Sequence, residues 1–130
     1  MSVQFIPEEK KNPQKPGEKP LFYIRPKARG FITLRELLHS VCDDSTIDEE
    51  EVLLAIRRMF KKLLVFLDMG FNVHLDDLGY FAVCVKSKGA ETANELTADN
   101  ATNIRIVFYP GRPLRISSNK IRLEKIKKED

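Results

Sequence analysis

The feature that most constrains this chain is a change of hydrophobic period at Gly70. Ahead of it, apolar residues recur at helical spacing; behind it they alternate with polar ones, the period of a half-buried strand. Leu34, Leu37, Leu38, Val41 and Cys42 fall at i, i+3, i+4, i+7 and i+8, one stripe of a helix that stops around Asp43-Asp44-Ser45. Thr33 with Glu36 three residues later predicts a capping box at its start. A second start follows at Asp48, with Glu49, Glu50 and Glu51 suited to the positive end of a helix. Val52, Leu53, Ile56, Met59, Phe60, Leu63, Leu64 and Leu67 then form a wide apolar face, and Gly70 supplies a left-handed C-cap. That face is wider than one short helix covers, which predicts a partner subunit.

Beyond Gly70, Val73 and Leu75 alternate with Asn72 and His74, and Asp76-Asp77-Leu78-Gly79 predicts a turn. Tyr80 to Val85 and Ile104 to Tyr109 read as strands, the second closed by Pro110-Gly111. Residues 86–103 are small and polar, either a long hairpin connection or a mobile arm. Arg112 to Ile116 reads as the start of a short helix with proline in its first turn, against the β-branching of Ile116. An α+β fold follows. In front, Lys10 to Pro20 holds three prolines and cannot be a helix or a central strand. Val3 to Ile6 and Leu21 to Ile24 flank it as β-like pieces, so the front is a two-stranded element or a loose tail. The chain thus divides into a basic, proline-rich extension (1–30), a body (31–118) and a charged tail (119–130), where Ile121 and Leu123 alternate with basic residues before the chain frays into charge around Lys128.

Composition narrows the function classes. With 130 residues, 42% hydrophobic and 32% charged, the chain is one soluble domain with tails. No apolar run approaches the roughly 20 residues of a membrane span. The start lacks a basic segment followed by an apolar stretch, so no secretory signal and a cytoplasmic location are expected. Cys42 and Cys84 stand far apart and read as two reduced core thiols. His39 and His74 have no Cys, His or acid at ligand spacing, and Asp43-Asp44 and Asp76-Asp77 sit where helix ends and turns want acids. Ser117-Ser118 lacks the glycines of a nucleophile elbow. No enzyme activity, metal or cofactor is expected.

Charge is segregated: residues 1–30 carry +4, residues 31–81 carry −5 and residues 82–130 carry +4. Lys86, Lys88, Arg105, Arg112 and Arg115 flank or lie on the two long strands and share one surface if the strands pair. They read either as phosphate contacts or as cations that keep strand edges soluble.

The run Gly70-Phe71-Asn72-Val73-His74-Leu75-Asp76-Asp77-Leu78-Gly79-Tyr80-Phe81 after two capped helices, followed by Phe108-Tyr109-Pro110-Gly111-Arg112-Pro113-Leu114, resembles the bacterial histone-like HU/IHF family. The similarity covers about residues 31–118, and the proline-rich front resembles a divergent HU-related group typical of Bacteroides-like bacteria. The resemblance implies an intertwined homodimer with a helical base and a saddle-shaped antiparallel sheet extended into β-arms. It further implies a nucleoid protein that holds and bends double-stranded DNA, largely independent of sequence, as the minor-groove architectural proteins do. By position, Lys86 matches a basic residue at the arm base, and Arg112 and Arg115 match lysines that approach phosphates. Gly79 matches the turn glycine, and Phe81 and Phe108 match core aromatics. The departures are specific: the family's arm tip carries a wedging proline, and residues 86–103 contain none. From Ala82 to Val107 three basic residues face three acids, which predicts weak binding with a shallow salt dependence. An HU-fold protein-interaction or assembly module, with little or no DNA binding, is the alternative reading.

Overall fold

The computed structural model describes residues 1–126. The sequence reading of the tail beyond Ile126 lies outside the described residues.

Helices α1 (Leu34–Cys42) and α2 (Glu49–Asp68) form where the apolar stripes predict them. Thr33 accepts from the Glu36 amide at 3.2 Å, but the return bond from Thr33's amide to the Glu36 side chain is not made, so the expected capping box is half a box. Asp48 accepts from the Glu50 amide at 3.2 Å and caps α2. At the far end of α2, Gly70 (φ 94) turns the chain. Its amide donates to the Leu67 carbonyl and the Phe71 amide to that of Phe66, both at 3.0 Å, a Schellman closure that satisfies the last carbonyls. Arg35–Glu50 and His39–Glu49, both at 3.1 Å, join α1 to α2 across an exposed seam. Such exposed pairs contribute little. What holds the helices is a small core of Leu38, Cys42, Leu53, Leu63, Leu67 and Ala82. The rest of the apolar stripe stays in solvent: Phe60 is 49% and Leu64 56% exposed.

After α2 come β3 (Val73–His74), a short 3-10 turn at Asp76–Leu78, β4 (Gly79–Ser87) and β5 (Ala101–Pro110). They form an antiparallel sheet in the order β3-β4-β5. Pairing runs from Gly79 opposite Pro110 to Ser87 opposite Ala101, with a bulge between Lys86 and Ser87. Beyond the bulge the connection folds into two 3-10 turns at Ala93–Glu95 and Ala98–Asn100. Helix α3 (Arg112–Ser118) follows β5, and packs against the Asp76–Leu78 turn. Pro113 in its first turn outweighs the β-branching of Ile116.

The front forms the two-stranded alternative, with longer strands than its β-like pieces: β1 (Val3–Lys10) and β2 (Leu21–Lys27) pair antiparallel. A strand the sequence reading missed, β6 (Leu123–Lys125), pairs parallel to β1, giving a second sheet in the order β2-β1-β6. The two end segments of the chain thus meet, tied by Val3 N–H to the Arg122 carbonyl at 2.8 Å and Ser2 Oγ to Glu124 at 2.7 Å. Among the described residues no helix is long and apolar enough to cross a membrane.

Candidate nucleic-acid interface

The β4–β5 register sorts this hairpin into two faces, because directly paired residues project to the same side. One face carries Phe81, Val83 and Val85 with Phe108, Ile106 and Ile104. Val83, Ile104, Arg105 and Ile106 line a cleft with Leu64, Leu67 and Asp68 of α2. Phe81 and Phe108, matched by the resemblance to core aromatics, pack with ring centroids 5.0 Å apart, with Phe108 still exposed on this chain.

The opposite face is polar and aromatic. It carries Tyr80, Ala82, Cys84 and Lys86 on β4 against Tyr109, Val107, Arg105 and Asn103 on β5. His74, paired with Tyr80 in the register, stacks on it at 4.7 Å, and Tyr80 stacks on Tyr109 at 5.0 Å. Cys84 Sγ lies 3.3 Å from Tyr109 Oη. That hydrogen bond, first, and the nearness of Cys84 raise the Tyr109 phenol above its ordinary value, with Arg105 pulling weakly the other way. Cys84 is therefore not the core thiol expected: it is half-buried on the hairpin face, while Cys42 is buried between the helices, and both are free.

Lys86 and Arg105 stand on this face two residue steps apart along the strands, since Arg105 is opposite Cys84 and Lys86 opposite Asn103. Lys88 lies past the bulge at the hairpin's end, its amide donating to the Asn100 carbonyl at 2.8 Å. Thr97 and Asn100 brace that end, with Thr97 N–H donating to Asn100 Oδ1 at 3.0 Å. Arg112 and Arg115 sit on α3 at the other end, where Gly79 pairs with Pro110. Seven residue steps from Gly79 to Lys86 at about 3.4 Å each put roughly 24 Å between the two ends. The five cations thus form a track, not a cluster. All five are exposed, and among the described residues none pairs with a carboxylate. The His74–Tyr80–Tyr109 stack was missed by the sequence reading, because it depends on the pairing of β3 with β4 and of β4 with β5.

Backbone closeness at the α3 end fixes this track. Gly111 N–H donates to the Leu78 carbonyl at 2.9 Å, and Arg115 N–H to the Gly111 carbonyl at 3.1 Å, so α3 starts directly against the turn. Among the described residues no three His, Cys, Asp or Glu could hold a metal ion. His39 is exposed and paired with Glu49, and His74 is engaged in stacking.

The fold has a solved counterpart. A protein from Bacteroides vulgatus ATCC 8482, provisionally described as a bacterial DNA-binding protein, superposes with a TM-score of 0.64 at 15% identity over 96% of this chain. This chain spans about half (48%) of that protein's length. No curated protein matches the sequence. A family model described as an HU domain fused to wHTH, Ig or a glycine-rich motif matches residues 1–125. The resemblance carried by Gly70–Phe81 and Phe108–Leu114 is thereby borne out, and the front extension and β6 fall inside the match: the chain belongs to the HU-HIG family.

Proposed function

We propose that the protein is a non-enzymatic, HU-like DNA-binding protein of the bacterial nucleoid, acting as a homodimer on duplex DNA with little sequence preference. The observation that carries this reading is the exposed, unpaired track of Lys86 and Arg105 on the hairpin, continued by Arg112 and Arg115 on α3. Lysine and arginine contacts to phosphates supply affinity and salt dependence without reading bases. No helix of the body combines exposed basic and amide residues suited to the major groove. The dimer follows from the uncovered apolar face of α2, whose Phe60 and Leu64 need a partner surface. The hairpin contains no proline between Lys86 and Asn103, so bending would come from wrapping and not from a proline wedge.

Fluorescence anisotropy of labelled linear and nicked duplexes from about 20 to 200 mM salt tests the reading. Affinity falling with salt, and a shallower slope for Arg112→Ala/Arg115→Ala, is expected. Tighter binding to the nicked duplex supports bending. A folded, dimeric protein that ignores DNA at the lowest salt would instead favour an assembly module, a reading motivated by the acidic hairpin tip with Glu91, Glu95 and Asp99.

A further inference from the structure

The HU-like body is the wrong sign for a polyanion. Residues 31–118 hold ten Lys/Arg against thirteen Asp/Glu, a net of −3. Residues 1–30 hold seven against three, and residues 119–126 three against one. The β2-β1-β6 sheet and its loops therefore carry +6 beside a body of −3, and the net positive charge of the described chain originates there.

The sheet also has two unlike faces. The β1–β2 register puts Phe5, Pro7, Phe22 and Ile24 on one side, joined by Leu123, which pairs with Val3, with Glu9 and Lys125 the charged residues of that side. The other side holds Lys10, Tyr23, Arg25 and Lys27. Tyr23, Arg25 and Lys27 follow every second residue along β2, about 7 Å apart, and β2 is a free edge whose residues are all exposed. Lys10 Nζ sits 5.8 Å from the centre of the Tyr23 ring, bringing the cation of β1 over to the β2 row. Lys11 and Lys19 continue the positive surface into the loop, around a shallow concavity that Lys10 and Tyr23 also line. Two acids share this face: Glu8, on the inner strand directly opposite Tyr23, and Glu124, on the far edge, which accepts from Ser2; the four cations Lys10, Arg25, Lys27 and nearby Lys11 outnumber them. Lys15 is held by Glu18 at 3.5 Å.

We propose that the Lys10–Tyr23–Arg25–Lys27 face of this terminal sheet is a second phosphate-binding surface, which grips the backbone of the duplex alongside the β4–β5 track. The inference rests on the DNA-binding reading and adds a site to it. A basic row with an aromatic between its cations is suited to a sugar-phosphate backbone: the cations neutralise phosphates, and the ring covers the sugar between them. The apolar reverse face leaves the basic side as the one free to meet a charged ligand.

The test is the salt slope of the full chain. Anisotropy with a labelled duplex is measured for the wild type, for Lys10→Ala/Arg25→Ala/Lys27→Ala, and for the charge-conserving Lys10→Arg/Arg25→Lys/Lys27→Arg. Since each lost phosphate contact removes about 0.9 from the slope of log K against log salt, the alanine variant should lose roughly 2 to 3 and bind at least about tenfold more weakly. The charge-conserving variant should stay near wild type, and circular dichroism should show all three equally folded. An alanine variant with the wild-type slope overturns this site while leaving the DNA-binding reading intact. A wild type that does not bind at all overturns both.

Discussion

Gly79 and Gly111 stand so close that neither position has room for a side chain. A Cβ on Gly79 would sit 2.9 Å from the Gly111 nitrogen and overlap the Tyr109 carbonyl oxygen. One on Gly111 would sit 3.2 Å from the Gly79 nitrogen and overlap the Asp77 carbonyl oxygen. Gly79 also has φ 139, a conformation that side chains disfavour. This contact joins the start of β4 to the start of α3 and holds Arg112 and Arg115 beside the sheet.

Gly79→Ala and Gly111→Ala should accordingly each destabilise the fold by roughly 2–4 kcal/mol, since backbone atoms cannot step aside as a side-chain end can. Urea denaturation at one fixed protein concentration checks this. Gly17→Ala, with open space around its Cβ, should stay within about 0.5 kcal/mol of wild type.

The Tyr109 phenol should ionise above its ordinary value of about 10, because the Cys84 bond and charge favour its neutral form. Absorbance at the phenolate band during a pH titration should show a tyrosine ionising above the ordinary value. Cys84→Ala should move it back toward the ordinary value. The sign is that of a group kept protonated: any stability it lends is complete below the unfolded value and is lost as pH rises through the folded one. A Tyr109 signal indifferent to Cys84→Ala would separate the two side chains.

How much of this was legible beforehand depends on the range of the signal. Helices α1 and α2 are written locally, in caps and in apolar spacing, and both form at the predicted positions. The two long strands are likewise local, and Gly79, Gly111 and the residues around them carried the family resemblance. β6 was not legible, because three residues acquire strand structure only through pairing with β1, which lies more than a hundred residues away in the sequence. The His74–Tyr80–Tyr109 stack needed the register of β4 on β5, which alternation alone does not give. The five cations were found as residues, but their division between the two ends of a hairpin is a property of that pairing too.

The uncovered stripe of α2 gives a prediction about assembly. Phe60 and Leu64 are 49% and 56% exposed on one chain, far more than a core position allows. Burying each such side chain is worth about 1.5–3 kcal/mol, and a two-fold interface counts it twice. Phe60→Glu should therefore weaken association by roughly a hundredfold or more. Sedimentation velocity across a dilution series should show the wild type as a dimer and the variant shifted toward monomer, whereas Leu21→Glu on the terminal sheet should leave the dimer intact.

The last prediction concerns the hairpin itself. Lys86 and Arg105 share one face of the hairpin, while Glu91, Glu95 and Asp99 lie in the connection beyond the bulge. If DNA lies along this face, the cations attract it and the tip acids repel it, with opposite effects on one observable. Lys86→Ala/Arg105→Ala should reduce the salt slope by about 1.8, and affinity should fall on every duplex alike because phosphates carry no sequence. Glu91→Gln/Glu95→Gln should tighten binding, most at low salt, where screening is weakest. Asp99 is left in place because it lies in the 3-10 turn braced by Thr97 and Asn100. Opposite shifts from the two variants would locate the duplex along the hairpin. If the cation variant weakens binding while the tip variant leaves it unchanged, the duplex stops at the bulge and the tip stays outside the complex.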